Sequence, residues 1–176
     1  MQAGQRVLLV EGRSDAAALR AAAVTTGTDL SGTTILVLDG ATNVARAAAT
    51  IPSSAPVGAL VDVAEQPMVR RRLTETGRPE APLFVCVDDL EDELIRALGA
   101  EQALAVVTQE EDLRAFRSLQ HQAAWRDEPV ERQLRRFLGS GSGRKSRYAA
   151  SLAAATPVDR TAGPLLAALR WSVSGP

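Results

Sequence analysis

The sequence predicts an α/β domain built on a parallel four-stranded sheet flanked by helices, with a helical C-terminal extension. Three observations predict it. Four short apolar runs alternate with helix-forming stretches between residues 6 and 99. Each run ends abruptly in an acidic residue or an acid–glycine pair. Beyond about Glu110 the apolar residues recur only at helical spacing. Strand–helix alternation of this kind is the signature of βα units and a parallel sheet.

The first run, Arg6 to Val10, is continuously apolar after its arginine, as expected for a strand covered on both faces. It ends in Glu11-Gly12, and Ser14 or Asp15 is suited to cap the Ala-rich helix that runs toward Val24. Thr33 to Leu38 repeats the pattern, ends in Asp39-Gly40 and leads into a helix over Ala41 to Thr50. Val57 to Val61 is the third strand, closed by Asp62, and Met68 to Thr76 the helix after it, stopped by Gly77. Leu83 to Val87 is the fourth, ending at Asp88-Asp89, with a helix that closes at Gly99. Helices are then expected over Glu110 to Gln122, Val130 to Leu138, Arg144 to Ala155 and Pro164 to Val173, with Gly139 to Gly143 as a flexible or phosphate-approaching loop. These readings divide the chain into an α/β core, 1–109, and a helical extension, 110–176.

Composition removes several function classes. Aromatic residues make up only 3% of 176 residues, so the core must come from Ala, Val, Leu and Ile. No apolar run reaches the roughly 18–20 residues of a membrane span, and Val7 to Val10 is too short for a signal peptide. The single cysteine, Cys86, excludes an intramolecular disulfide and suits a reducing compartment, which points to the cytoplasm. One histidine and one cysteine exclude the usual zinc sites. A net charge of −1 means that any nucleic-acid role must rest on a local patch. The basic concentration is Arg132, Arg135, Arg136, Arg144, Lys145 and Arg147.

The placement of the acids is the informative feature. In an open parallel sheet all strand C-termini share one edge, and ligands bind there. Glu11, Asp39, Asp62 and Asp88-Asp89 directly follow strands, with Asp15, Glu65 and Glu91 about a turn further on. Carboxylates crowded at one rim repel and raise each other's pKa unless a cation lies between them. Hard divalent ions with oxygen ligands, magnesium or manganese first, answer that need. An acid after a strand is also a common helix cap, the reading preferred for Asp39 and Asp88; the metal reading is preferred for Glu11, Asp15, Asp62 and Glu91.

The residues that carry this pattern resemble the Toprim domain. Val7 to Leu19 (VLLVEGRSDAAAL) is similar to the Toprim opening, and the Asp four residues after the Glu resembles the nuclease domain of the OLD (overcoming lysogenization defect) family. Leu38 to Val44 is similar to that family's second strand and turn, and Gly58 to Glu65 (GALVDVAE) lies where Toprim domains carry an Asp-x-Asp pair. Phe84 to Gly99 resembles the segment with a further metal-binding Glu, matched by Glu91, and Gly143 to Ala153 the late basic motif, matched by Lys145.

The resemblance implies a Toprim-like sheet and two-metal cleavage of phosphodiester bonds in DNA, by a magnesium- or manganese-dependent nuclease or nickase. Glu11 and Asp15 would hold one ion, Asp62 and Glu91 the other, with Glu65 as an additional ligand. Glu11 and Lys145 would be catalytic, the lysine neutralising the scissile phosphate. Gly12, Arg144, Lys145 and Arg147 would meet the phosphate backbone. One departure bears on this: Ala64 replaces the second Asp of the pair, which weakens the second ion site. No Gly-rich phosphate loop is present, so an ATPase would have to come from a separate chain.

Two other readings are kept in view. A degenerate Toprim module would bind nucleic acid or a partner protein without catalysis. A doubly wound nucleotide-binding or phospho-receiver domain would use Asp62 as acceptor. Tyr148, His121, Cys86, Trp125 and Trp171 read as packing or solvated residues. Oligomeric state is not legible.

Overall fold

The computed structural model describes residues 5–140 and 143–174. Strands β1 (Arg6–Val10), β2 (Thr33–Val37), β3 (Val57–Asp62) and β4 (Leu83–Cys86) form one parallel sheet in the order β2-β1-β3-β4. The helices between them are α1 (Arg13–Thr26), α2 (Val44–Ala49, after a 3-10 turn at Ala41–Asn43) and α3 (Gln66–Glu75). After β4 come α4 (Leu90–Leu98), α5 (Ala100–Gln109), α6 (Leu113–Gln120), α7 (Val130–Leu138), α8 (Arg144–Ala155) and α9 (Gly163–Val173). No helix among the described residues is long and apolar enough to cross a membrane.

The alternation of side chains along each strand explains why the strands read as unbroken apolar runs. Leu8, Val10, Leu60, Phe84 and Cys86 face one layer, where α1, α4, α7, α8 and α9 cover them. Val7, Leu9, Ala59 and Val61 face the other, against Val44 and Ala48 of α2 and Val69 and Leu73 of α3. The helical extension does not stand apart: Tyr148, Leu152, Leu165 and Leu169 belong to the same core as Leu8 and Leu94. Helix α9 reaches the sheet through Gly58, where an added Cβ would lie 3.2 Å from both Phe84 and Trp171. Those two rings pack 5.9 Å apart.

The strand boundaries expected from sequence hold to within a residue, and β3 includes Asp62, paired with Cys86. Three expectations need correction. Gly12, not Ser14 or Asp15, is the N-cap of α1; Asp15 sits at the third helical position and accepts the Gly12 N–H at 2.7 Å. Residues 100–109, left unassigned by periodicity, form α5. The helix expected over Glu110 to Gln122 is interrupted at its start, because Glu111 adopts φ 62° and separates α5 from α6. The loop expected over Gly139 to Gly143 lies in part, at 141 and 142, outside the described residues; Gly143 has φ 74° and starts α8.

Candidate metal centre

Three strand ends and three helix starts converge at the C-terminal edge of the sheet. Glu11, Gly12, Ser14, Asp15, Asp39, Gly40, Asp62, Leu90, Glu91 and Lys145 line one cleft of about 190 Å³. Glu11 follows β1, Asp62 ends β3, Asp15 and Glu91 lie in the first turns of α1 and α4, and Lys145 opens α8. The sequence therefore brought together Glu11, Asp15, Asp62, Glu91, Lys145 and Gly12 as anticipated. Ser14, Asp39 and Gly40 were not among the expected ligands, although their positions after β1 and β2 carried the same signal. An added Cβ at Gly12 would meet only ordinary contacts, 3.7 Å from Asp15 and Ser14. Its glycine is thus not demanded by the fold, and it leaves the floor of the cleft open.

Three carboxylates of the cleft, Asp15, Asp62 and Glu91, are under electrostatic pressure. Burial, then the neighbouring charges of Asp15 and Glu11, pushes Asp62 up to about 6. Burial raises Asp15 as well, against the opposing effect of its bond from the Gly12 amide. Burial drives Glu91 to about 7 even though the Lys145 ammonium lies 3.4 Å from its Oε2. Burial disfavours charge on Lys145, but Glu91 and Asp15 outweigh it and its pKa lies above the ordinary lysine value. Glu65 does not line the cleft; burial and a side-chain hydrogen bond with Glu11 raise it to about 7.

Two carboxylate oxygens at this rim are buried without a hydrogen-bond partner, Glu65 Oε2 and Glu91 Oε1, and the second lies in the cleft. Glu91 is only 4% exposed, and its Oε1 has no hydrogen-bond partner, while Oε2 faces Lys145. A buried carboxylate oxygen without a partner is costly unless a ligand completes it. The donor set around it is all oxygen, hard and anionic, which suits magnesium or manganese and not softer ions. Among the described residues, no three His, Cys, Asp or Glu side chains are already gathered into a metal-binding group. The arrangement accounts for that: Lys145 occupies one face of Glu91, the Gly12 amide holds Asp15, and like charges keep the rest apart.

Helix α4 divides the acidic run Asp88 to Glu93 into separate tasks. Asp88 is exposed. Asp89, not Asp88, is the N-cap, accepting the Asp92 N–H at 2.9 Å. Glu93 accepts the Val87 N–H at 2.9 Å, so only Glu91 turns into the cleft. Asp39 is not a cap either; it sits at φ 53° with the Asn43 amide donating to its carbonyl at 3.2 Å.

The expected phosphate contacts are only partly gathered. Arg144 and Arg147 do not line the cleft, because the α5–α6 junction captures them. Arg147 pairs with Glu110 at 3.3 Å and with Asp112, and Arg144 lies 3.6 Å from Asp112 and 4.4 Å above the Phe137 ring. Tyr148 donates to the same Asp112 at 3.0 Å, and burial raises its pKa. This cluster anchors the start of α8 and so fixes where Lys145 emerges. Cys86 is buried, and burial pushes its thiol pKa up, as an inert core cysteine requires.

No protein-family model and no curated protein matches the sequence. The fold, in contrast, matches solved structures of C-terminal regions of OLD proteins. That from Xanthomonas campestris pv. campestris superposes with a TM-score of 0.64 at 24% identity, over 94% of this chain and 92% of that one. That from Burkholderia pseudomallei gives 0.65 at 19% identity, over 94% and 95%. The chain has the fold of an OLD C-terminal region, in accord with the motif resemblance.

Proposed function

We propose that this domain is a magnesium- or manganese-dependent phosphodiesterase of the Toprim type that nicks or cleaves DNA. The observation that carries the reading is the convergence of Glu11, Asp15, Asp62 and Glu91 on one cleft with Lys145, including a buried Glu91 oxygen that lacks a partner. Glu11, Asp15, Asp62 and Glu91 would hold the cation, with Glu65 in reserve behind Glu11. Bound magnesium or manganese would supply charge neutralisation and Lewis acidity at the scissile phosphate.

The chain's own residues do the rest. Asp62 and Glu91, both raised by burial, would have to be deprotonated to hold the cation. Lys145, whose ammonium lies 3.4 Å from Glu91 Oε2, would offer its charge to a phosphate oxygen in the cleft, where a preorganised cation favours the transition state. The N-terminus of α8 adds free N–H groups and a positive dipole end beside it. The open floor at Gly12 admits the sugar–phosphate backbone.

A second reading is favoured by one observation: the carboxylates are not yet gathered, and Ala64 stands exposed in the turn after β3 where the second Asp would help gather them. In that case the domain binds nucleic acid or a partner without cleaving it. Manganese-dependent nicking of supercoiled plasmid separates the two. Wild-type chain should nick, and Glu11→Gln should lose roughly 100-fold or more, the usual scale for a lost acid–base or ligand carboxylate. Failure to nick, with calorimetry detecting no cation at millimolar concentration, would leave the binding reading in its place.

A further inference from the structure

A hollow of about 290 Å³ lies next to the carboxylate cleft, lined by Asp89, Trp125, Arg132, Arg135, Arg136 and Gly139. We infer that it is a secondary phosphate site, in which Arg132 and Arg136 hold the backbone of the DNA strand beyond the scissile position. The inference rests on the DNA reading given above and adds a site to it.

Four features argue for a built site instead of a solvated helix face. Arg132, Arg135 and Arg136 fall at i, i+3 and i+4 of α7, where like charges repel, while Leu134, Phe137 and Leu138 bury the opposite side. Arg136 stacks its guanidinium 5.9 Å from the Trp125 ring centroid, and no carboxylate pairs with it among the described residues. The wall that carries Trp125 is fixed from within. Gln133 is buried, donates to the carbonyls of Trp125 and Glu128 at 2.7 and 2.9 Å, and accepts from Gln120 at 2.6 Å. Glu128, held in that wall, in turn orients Arg132 at 2.6 Å.

The fourth feature is the link to the cleft. Arg135 donates to Asp89 Oδ2 at 2.8 Å, and Asp89 caps α4 two residues before Glu91. Hollow and cleft therefore share one rigid helix start. Forked guanidiniums suit phosphate oxygens, and contacts to the backbone position a strand without reading its sequence. A strand seated on Arg132 and Arg136 would run past the α4 N-terminus into the carboxylates.

The test measures binding of a labelled DNA duplex in EDTA across a salt series, for wild type, Arg132→Ala/Arg136→Ala and a charge-matched control, Arg71→Ala/Arg72→Ala, which alters exposed residues of α3. The first double variant should bind roughly tenfold more weakly, with the slope of log K against log salt reduced by about 1.8 for two lost phosphate contacts. The control should stay close to wild type, and all three should melt alike. Unchanged affinity in Arg132→Ala/Arg136→Ala, equal weakening in both double variants, or no duplex binding by wild type would each overturn the site. Binding of inorganic phosphate that this variant loses while its duplex affinity persists would give the hollow to a small phosphate ligand and overturn it too. Plasmid nicking is scored in parallel. Wild type that binds with the expected slope but never nicks keeps the hollow and removes the nuclease; equal nicking and binding by both double variants and wild type does the reverse.

Discussion

The two edges of the sheet are both polar, but they are built in opposite ways. At the N-terminal edge arginines close on backbone carbonyls. Arg78 donates to Ile51, Pro52 and Ala55 at 2.7–2.9 Å, Arg70 to Pro79 and Ala81, and Arg6 to Ser174 while lying 5.0 Å from the Trp171 ring. At the C-terminal edge carboxylates face one another, their pKa values rise, and a Glu91 oxygen is buried without a partner. Among the described residues, the first edge leaves one buried side-chain atom without a partner, Arg78 Nε. The second holds an unresolved conflict. A sequence that is locally consistent everywhere else and inconsistent at one rim marks that rim as the place where a ligand completes the structure.

The contrast can be tested from either side. The largest expected effect on stability lies at the N-terminal edge: Arg78→Ala removes three charged hydrogen bonds to loop carbonyls and should cost roughly 2–3 kcal/mol. At roughly 2–4 °C per kcal/mol for a chain of this size, the melting temperature should fall by about 5–10 °C. Nicking at low temperature should survive. A variant that melts like wild type would mean that the clasp is ornamental and the two edges are more alike than their contacts suggest.

A smaller effect, of opposite character, belongs to the C-terminal edge. Asp62, Glu65 and Glu91 have folded-state pKa values raised above those of free carboxylates, to about 6, 7 and 7. The folded chain therefore binds more protons than the unfolded chain between about pH 4 and 7, and its stability falls as pH rises through that window. Metal-free protein should melt several degrees lower at pH 8 than at pH 5, and millimolar magnesium should remove most of the difference by replacing the protons. A melting temperature that climbs from pH 5 to 8 without metal would mean that the carboxylates are not in conflict.

The smallest effect is Ala64→Asp. It adds a carboxylate to an exposed turn two residues from Asp62 and should tighten manganese binding several-fold by calorimetry, with stability within about 0.5 kcal/mol of wild type. No gain in affinity would show that the turn directs residue 64 away from the cation.

The positions of Glu11, Asp15, Asp62 and Glu91 were legible because each is tied to a strand end or to the first turn after one, and parallel strands put all such ends on one edge. The fates of Arg144 and Arg147 were not. They share a basic segment with Lys145, yet Asp112, over thirty residues earlier, captures both. Nothing local to either segment announces that pairing. Helix α5 went unassigned because Gly99 reads as the stop of the helix before it, whereas in the fold the same glycine is also the N-cap of α5.

By itself, then, the sequence determined the parallel sheet, the order of its elements and which acids would stand at its rim, since those follow from hydrophobic period and chain direction. Tertiary structure decided which charges meet. It brought Lys145 from α8 to Glu91 of α4 and Arg135 from α7 to Asp89, and it left one Glu91 oxygen bare. Such pairings depend on helix packing across residues far apart in the chain, and packing is set by the shape of the whole core, which no window of sequence contains.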